Sequence, residues 1–268
     1  MPHVQTIIDG KRYPSVTEIC DMLGGSKTKR LTSWAGKHGT LKAKALHDVL
    51  EKAHGKSDSF YVDEIPDSWF EANRLERSDF WKSHEELGDE AKERGQQFHA
   101  DVEVALKNKR DGYAVPVSDV VSNICQWCDI NHVYPREFEF HVRSREYKFG
   151  GTFDCLAVTA GGDPVLLDWK RSSSIGDSFP IQLAGYAIAY EEETGTFIDD
   201  GRIIRVYELK KPAKETKVEE TADGLKYSWR GSSWFIEERR YQLHRYTRLF
   251  LSLRELYDYE NKKGDWGT

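Results

Sequence analysis

The chain switches between two hydrophobic rhythms. In "DEAKERGQQFHADVEVALKNK" (89–109), Ala91, Gly95, Phe98, Val102 and Ala105 recur at spacings of four and three. On a helix of 3.6 residues per turn they form one apolar stripe. Most of 31–106 reads as helix, and another helix is expected over Ser118–Asn131. The rhythm then drops to two. "PREFEFHV" (135–142) alternates as a half-buried strand does. "GGTFDCLAVTAGGDPVLLDWK" (150–170) supplies two more strands, 152–158 and 165–170, around a glycine turn.

"FPIQLAGYAIAYEEETG" (179–195) predicts a helix with Pro180 in its first turn and Gly195 just past its end. Strands are expected at 201–209 and 225–231, and a long closing helix at about 235–260. Leu243, Tyr246, Phe250 and Leu253 would form its buried side, with Arg239, Arg240, Arg245, Arg248 and Arg254 toward solvent. The chain opens with a hairpin over 4–13 turning at Asp9-Gly10. A short helix follows, capped by Ser15 or Thr17 and stopped by Gly24-Gly25. This order predicts an α/β protein: an N-terminal helical part (1–133) packed on a core (134–268), together one compact unit.

Composition narrows the class. The 268 residues are 38% hydrophobic and 12% aromatic, with a mean hydropathy of −0.68. No run approaches the ~18 apolar residues of a membrane span, and the first residues lack the pattern of a secretory signal. The expectation is a cytoplasmic protein with no membrane partner. Cysteines stand at 20, 125, 128 and 155. The lone C-x-x-C has no second pair, so buried reduced thiols are expected rather than zinc.

Net charge is −6, against the usual sign for nucleic-acid binding. From Ser26 to Lys56, however, eight Lys or Arg face only Asp48 and Glu51. This block is read as a solvated face or a flank toward phosphates. Trp34, Trp69, Phe80 and Trp81 could stack on bases or belong to the core.

The 150–170 hairpin carries the chemistry. If Gly161 centres its turn, Asp154 lies directly across from Asp168, and Lys170 shares the face of Asp168. Opposed side chains have Cβ atoms roughly 4.5–5.5 Å apart, where two carboxylates repel. A cation between them removes the repulsion, and hard divalent ions are held by oxygens in this way. Without one, the segment is a surface hairpin in which Asp168 pairs with Lys170. Glu137 and Glu139 lie on one face of the preceding strand and could add a third carboxylate.

Gly151-x-x-Asp154, Asp168-Trp169-Lys170 and Gln182-x-x-x-Tyr186, in that order, resemble the PD-(D/E)XK nucleases. The resemblance is to the RecB-like exonuclease branch, which includes phage-type exonucleases and the mitochondrial genome maintenance exonuclease. Upstream, Gly95-x-x-x-His99 and the "PSVT" of 14–17 match the same branch. The resemblance covers about 13–190 and implies a restriction-endonuclease-like mixed β-sheet core flanked by helices. It also implies Mg²⁺- or Mn²⁺-dependent hydrolysis of DNA.

By this resemblance Asp154, Asp168 and the backbone carbonyl of Trp169 bind metal, and His99 adds a ligand. Lys170 acts on the attacking water and the phosphate, and Glu139 (or Glu137) is an accessory acid. Gln182 and Tyr186 line the phosphate or water. Phe153 stands where proline is common, and Arg171 where threonine is common. No cysteine follows Cys155, so no iron–sulfur cluster is expected.

The leading expectation is a DNA exonuclease of recombination, repair or end processing. It would act on single- or double-stranded DNA, with a recombination or single-strand-binding protein as a further partner. An endonuclease on the same core and a non-catalytic DNA-binding accessory protein are the alternatives.

Overall fold

In the computed structural model, residues 6–23, 68, 71, 77–114, 118–172, 174–222 and 224–261 are described, the side chains of 77–91 excepted. The basic block and Trp34, Trp69, Phe80 and Trp81 therefore lie outside the described side chains. Contacts divide the chain into two compact units, Gly24–Gln96 and Met1–Leu23 with Gln97–Thr268. The second unit carries the sheet.

The unit opens with a hairpin, β1 (Thr6–Ile8) and β2 (Lys11–Tyr13). Asp9 and Gly10 both have positive φ, 51° and 75°, as a two-residue turn matched to strand twist requires. In helix α1 (Val16–Cys20) the cap is Ser15, not Thr17. Its hydroxyl accepts from Glu18 N–H while the Glu18 carboxylate accepts from Ser15 N–H. Helices α2 (Arg77–Arg110) and α3 (Asp119–Ile130) follow.

Seven strands then form a mixed sheet flanked by helices, an α/β architecture. They are β3 (Val133–Ser144), β4 (Phe149–Thr159), β5 (Pro164–Lys170), β6 (Asp200–Glu208), β7 (Lys217–Thr221), β8 (Gly224–Ser228) and β9 (Trp234–Gln242), in the order β3-β4-β5-β6-β9-β8-β7. Only β5 and β6 pair in parallel. The crossover between them is α4 (Ser178–Thr194), which ends on Gly195 at φ 72°. Helix α5 (His244–Asn261) closes the chain.

Each face of the sheet buries its own core. On one, Phe98, Val102, Ala105 and Leu106 of α2 pack with Ile124 and Trp127 of α3 against Cys155, Leu167 and Trp169. On the other, α1, α4 and α5 bring Ile19, Leu183, Ala184 and Phe250 against Phe153, Leu156, Leu166 and Ile203. All four cysteines are buried free thiols. Burial pushes the thiol pKa of Cys20 up to about 12 and that of Cys128 upward, so neither is a nucleophile at neutral pH. Among the described residues no helix is long and apolar enough to cross a membrane.

The closing helix expected over 235–260 is two elements. Residues 234–242 are β9, an inner strand, and the helix begins only at His244. The charges that suggested a helix are matched across the sheet. Arg205 and Arg239 both bond Glu237. Glu238, with a fully buried side chain, accepts from Trp127 Nε1 (3.1 Å), Tyr227 Oη (2.7 Å) and Arg240 Nε (2.6 Å). Paired in this way, charged residues survive inside a sheet at a desolvation cost that their partners offset. Arg254 is likewise buried rather than solvent-facing, donating to the carbonyls of Tyr147 and Lys148. The strand β7 has no counterpart among the expected elements.

Removing one member of the Glu238 network strands the rest. Glu238→Ala is expected to cost roughly 3–5 kcal/mol, and Glu238→Gln less, measured by urea unfolding.

Candidate functional site

The site is set by register. β4 and β5 pair Cys155 with Leu167, Leu156 with Leu166, Ala157 with Val165 and Val158 with Pro164, so the hairpin is centred on Gly161 as expected. The ladder stops one step before Asp154 and Asp168. There Trp169 N–H donates to Asp154 Oδ2 at 2.8 Å, a side-chain bond where strand pairing has ended.

On the other side of β4, Phe138 pairs with Cys155 and Phe140 with Phe153. Positions two apart in a strand normally share a face. Here Phe138 and Cys155 pack on the α3 side, while Phe140 and Phe153 pack on the α4 side. The faces switch at Glu139, whose φ is +46°, opposite Asp154. Glu139, Asp154 and Asp168 thus occupy one row across β3, β4 and β5, at the point where β3 and β4 change face. A left-handed conformation costs a non-glycine residue on the order of 1–3 kcal/mol and recurs at functional sites.

The switch lets groups from both helical layers converge. His99 of α2 approaches with Nδ1 3.3 Å from Asp154 Oδ1. One ligand atom each from His99, Glu139 and Asp154 lies within 4.8 Å of the others. Asp168 is outside that trio and joined to it through charge. Lys170 Nζ sits 2.8 Å from its Oδ1 and 2.7 Å from its Oδ2, and 4.9 Å from the Phe179 ring centre. Both Asp168 oxygens therefore face the same ammonium group. Glu137 is not part of the group; it stands beside Tyr190 of α4 instead.

From α4, Gln182 Nε2 donates to Thr17 Oγ1 (3.1 Å) and to Tyr186 Oη (3.0 Å). Tyr186 is buried, and its hydroxyl pKa is raised by burial and by Asp168. Gly151 admits that ring, since a Cβ there would lie 2.8 Å from Tyr186 Cε1. At Gly95, by contrast, an added Cβ would meet no atom of the described residues within 4 Å. The Trp169 indole is buried against Trp127, edge to face at 6.3 Å, which fixes the backbone between Asp168 and Lys170.

Electrostatics divide the acids. Burial, with the charge of Asp154, pushes Asp168 up to about 6 against the pull of Lys170. Glu139 is raised by burial and by Asp154. Asp154 is lowered, because His99, Lys170 and Trp169 N–H outweigh its burial. Burial lowers His99 and Lys170, but Asp154 outweighs it for His99, and Asp168 with Asp154 for Lys170; both pKa values rise. Two carboxyls short of positive charge beside a third that is ionised make a place for a cation.

No local pattern marks Thr17 as the partner of Gln182, Phe179 as the ring over Lys170, or Glu139 as left-handed. No protein-family model matches the chain, and no curated protein matches it at a significant level.

Two outcomes are expected. A ¹³C-carboxyl titration finds one aspartate with a midpoint near 6 that disappears in Asp168→Asn. Between the ordinary carboxylate range and that midpoint the folded chain keeps a proton that the unfolded chain has lost. This group therefore lowers stability as pH rises through the window. Asp154 does the opposite, adding stability above the ordinary range that is lost as pH falls through its depressed value. At the switch, Glu139→Gly relieves the backbone and Glu139→Val cannot adopt it. In thermal unfolding the valine variant is expected to be less stable than the glycine variant by roughly 1–3 kcal/mol.

Proposed function

We propose that the chain is a metal-dependent DNA exonuclease built on a restriction-endonuclease-like core, of the RecB-like PD-(D/E)XK type. One observation carries the reading: His99, Glu139 and Asp154 converge beside an Asp168–Lys170 pair at the row where β3 and β4 change face. A structural ion-pair network needs no such strained residue as the left-handed Glu139.

The donor set fits a divalent cation. It offers carboxylate oxygens and one imidazole nitrogen, suited to Mg²⁺ and, with the nitrogen, to Mn²⁺. Asp154, Asp168, Glu139 and His99 would hold it, with the carbonyl of Trp169. Such an ion supplies Lewis acidity at the phosphate and a more acidic water.

The chain's own groups do the rest. Lys170 presents a compact positive charge to phosphate oxygens, its direction fixed by Asp168 below and Phe179 beside it. Trp169 N–H holds the Asp154 carboxylate in place. Tyr186 and Gln182, tied to each other and to Thr17, present a hydroxyl and an amide at the edge of the same space, able to orient a phosphate oxygen or a water.

The test uses DNA labelled at either end, single- or double-stranded, with Mg²⁺ or Mn²⁺. The wild type is expected to release nucleotides from an end, and Asp168→Asn and Lys170→Ala each to lose at least about a hundredfold. Closed circular plasmid is expected to stay intact; nicking it would make the protein an endonuclease. Independently of activity, Mn²⁺ is expected to raise the melting temperature of the wild type and not of Asp154→Asn. Cleavage that survives both substitutions would remove the assignment.

A further inference from the structure

The sheet continues past Lys170 in a way the hydrolytic site does not use. Lys170 of β5 is paired in register with Arg205 of β6, Arg205 with Glu237 of β9, and Glu237 with Lys226 of β8. Residues paired across strands point to one side of a sheet. A charged row therefore starts at the proposed hydrolytic lysine and runs over three strand spacings of about 4.8 Å each, roughly 14 Å.

The next row on that face is aromatic. Tyr207 is paired with Phe235, their rings 5.9 Å apart. Neither ring belongs to the two clusters that pack under the helices; Tyr207 is half-buried and Phe235 is buried. Cations cover them instead: Arg205 lies 4.2 Å from the Tyr207 ring centre, and Lys226 lies 5.6 Å from Tyr207 and 4.9 Å from Phe235. Glu237 does not cancel this charge. It bonds both Arg205 and Arg239, so one carboxylate orients two guanidinium groups. The chain as a whole carries −6, and here cations gather beside aromatic rings.

We propose that Arg205, Lys226, Tyr207 and Phe235 form a track for a single-stranded nucleic-acid segment lying beside the Lys170 site. The inference rests on the reading of that site as one that takes a nucleic-acid phosphate. Its occupant follows from the chemistry: a row of cations suits consecutive phosphates, and an adjacent ring pair suits unpaired bases, which duplex DNA keeps stacked inside. Lys226 shifts from the rings to a phosphate when the strand arrives, exposing ring surface for stacking, while Arg205 stays held by Glu237 and the Ser172 carbonyl.

The test is fluorescence anisotropy with a labelled 30-nucleotide single strand and the matching duplex, in EDTA so that binding is read without cleavage. Tyr207→Ala is expected to weaken single-strand binding at least about fivefold and to change duplex binding less. Lys226→Glu is expected to weaken binding and to reduce its salt dependence. Arg230→Glu, an exposed charge on the β8–β9 turn, serves as the control for general charge. Unfolding curves matching the wild type establish that the variants are folded, and Tyr207→Phe, which keeps a ring, is expected to restore binding.

Wild-type protein that binds no single strand would overturn the track. So would Tyr207→Ala that binds like wild type, or Arg230→Glu that loses as much as Lys226→Glu. The two readings separate cleanly. A protein that cuts DNA while these variants bind normally keeps the nuclease and loses the track. One that binds through these residues yet never cuts keeps the track and loses the nuclease.

Discussion

The constraint on which the site depends is the change of face at Glu139 and Asp154. A regular β3–β4 pair would send Phe138 and Phe140 to the same core. The left-handed backbone of Glu139 sends them to opposite cores and leaves the row between them committed to neither. A carboxylate on a regular inner strand would be buried in one apolar layer, at a cost that normally excludes it. At the crossover it can be reached from both layers, by His99 of α2 on one side and by Tyr186 of α4 on the other. Burial and access, which usually exclude each other, coexist there because the sheet is briefly neither inside nor outside.

That position also explains why the acids behave differently. Asp154 is surrounded by His99, Lys170 and Trp169 N–H and stays ionised. Asp168 has Lys170, but deeper burial and the charge of Asp154 outweigh it. Charge is thus unevenly distributed between two residues that face each other in register. The uneven pair is useful chemically. The permanently charged member fixes the histidine, while the one that holds its proton more tightly is the one whose charge a cation would most stabilise.

Much of this was legible in the chain. The hairpin register followed from placing Gly161 at the turn, and period-two alternation located β3 within two residues at each end. Asp9-Gly10, Pro180 and Gly195 marked their turns and helix ends because each acts through local backbone geometry. The failures were non-local. Residues 234–242, "WFIEERRYQ", look like an exposed helix until Glu237 and Glu238 are seen to meet Arg205 from another strand and Trp127 and Tyr227 from α3 and β8. Nothing in the local sequence reports partners that lie 11, 32 and 111 positions away. The same holds for Glu139. Its spacing singled out the pair Glu137 and Glu139, but only the backbone conformation chooses between them, and an alternating pattern carries no mark of a positive φ.

As a helix, 235–260 would have carried Arg239 and Arg240 on an outer surface, away from the sheet. As β9 it instead stands next to β6, bringing Phe235 and Glu237 level with Tyr207 and Arg205, and through them with Lys170. The parallel pairing of β5 with β6 does the rest, since parallel neighbours end on the same side and the lysine and the arginine come out together. A sheet that buried only aliphatic residues in β9 would be more stable per residue, yet it would end in an apolar face beside Lys170 and Arg205. The charged residues of β9 keep that face polar, and the cost of their desolvation is offset inside the sheet by partners on β6, β8 and α3.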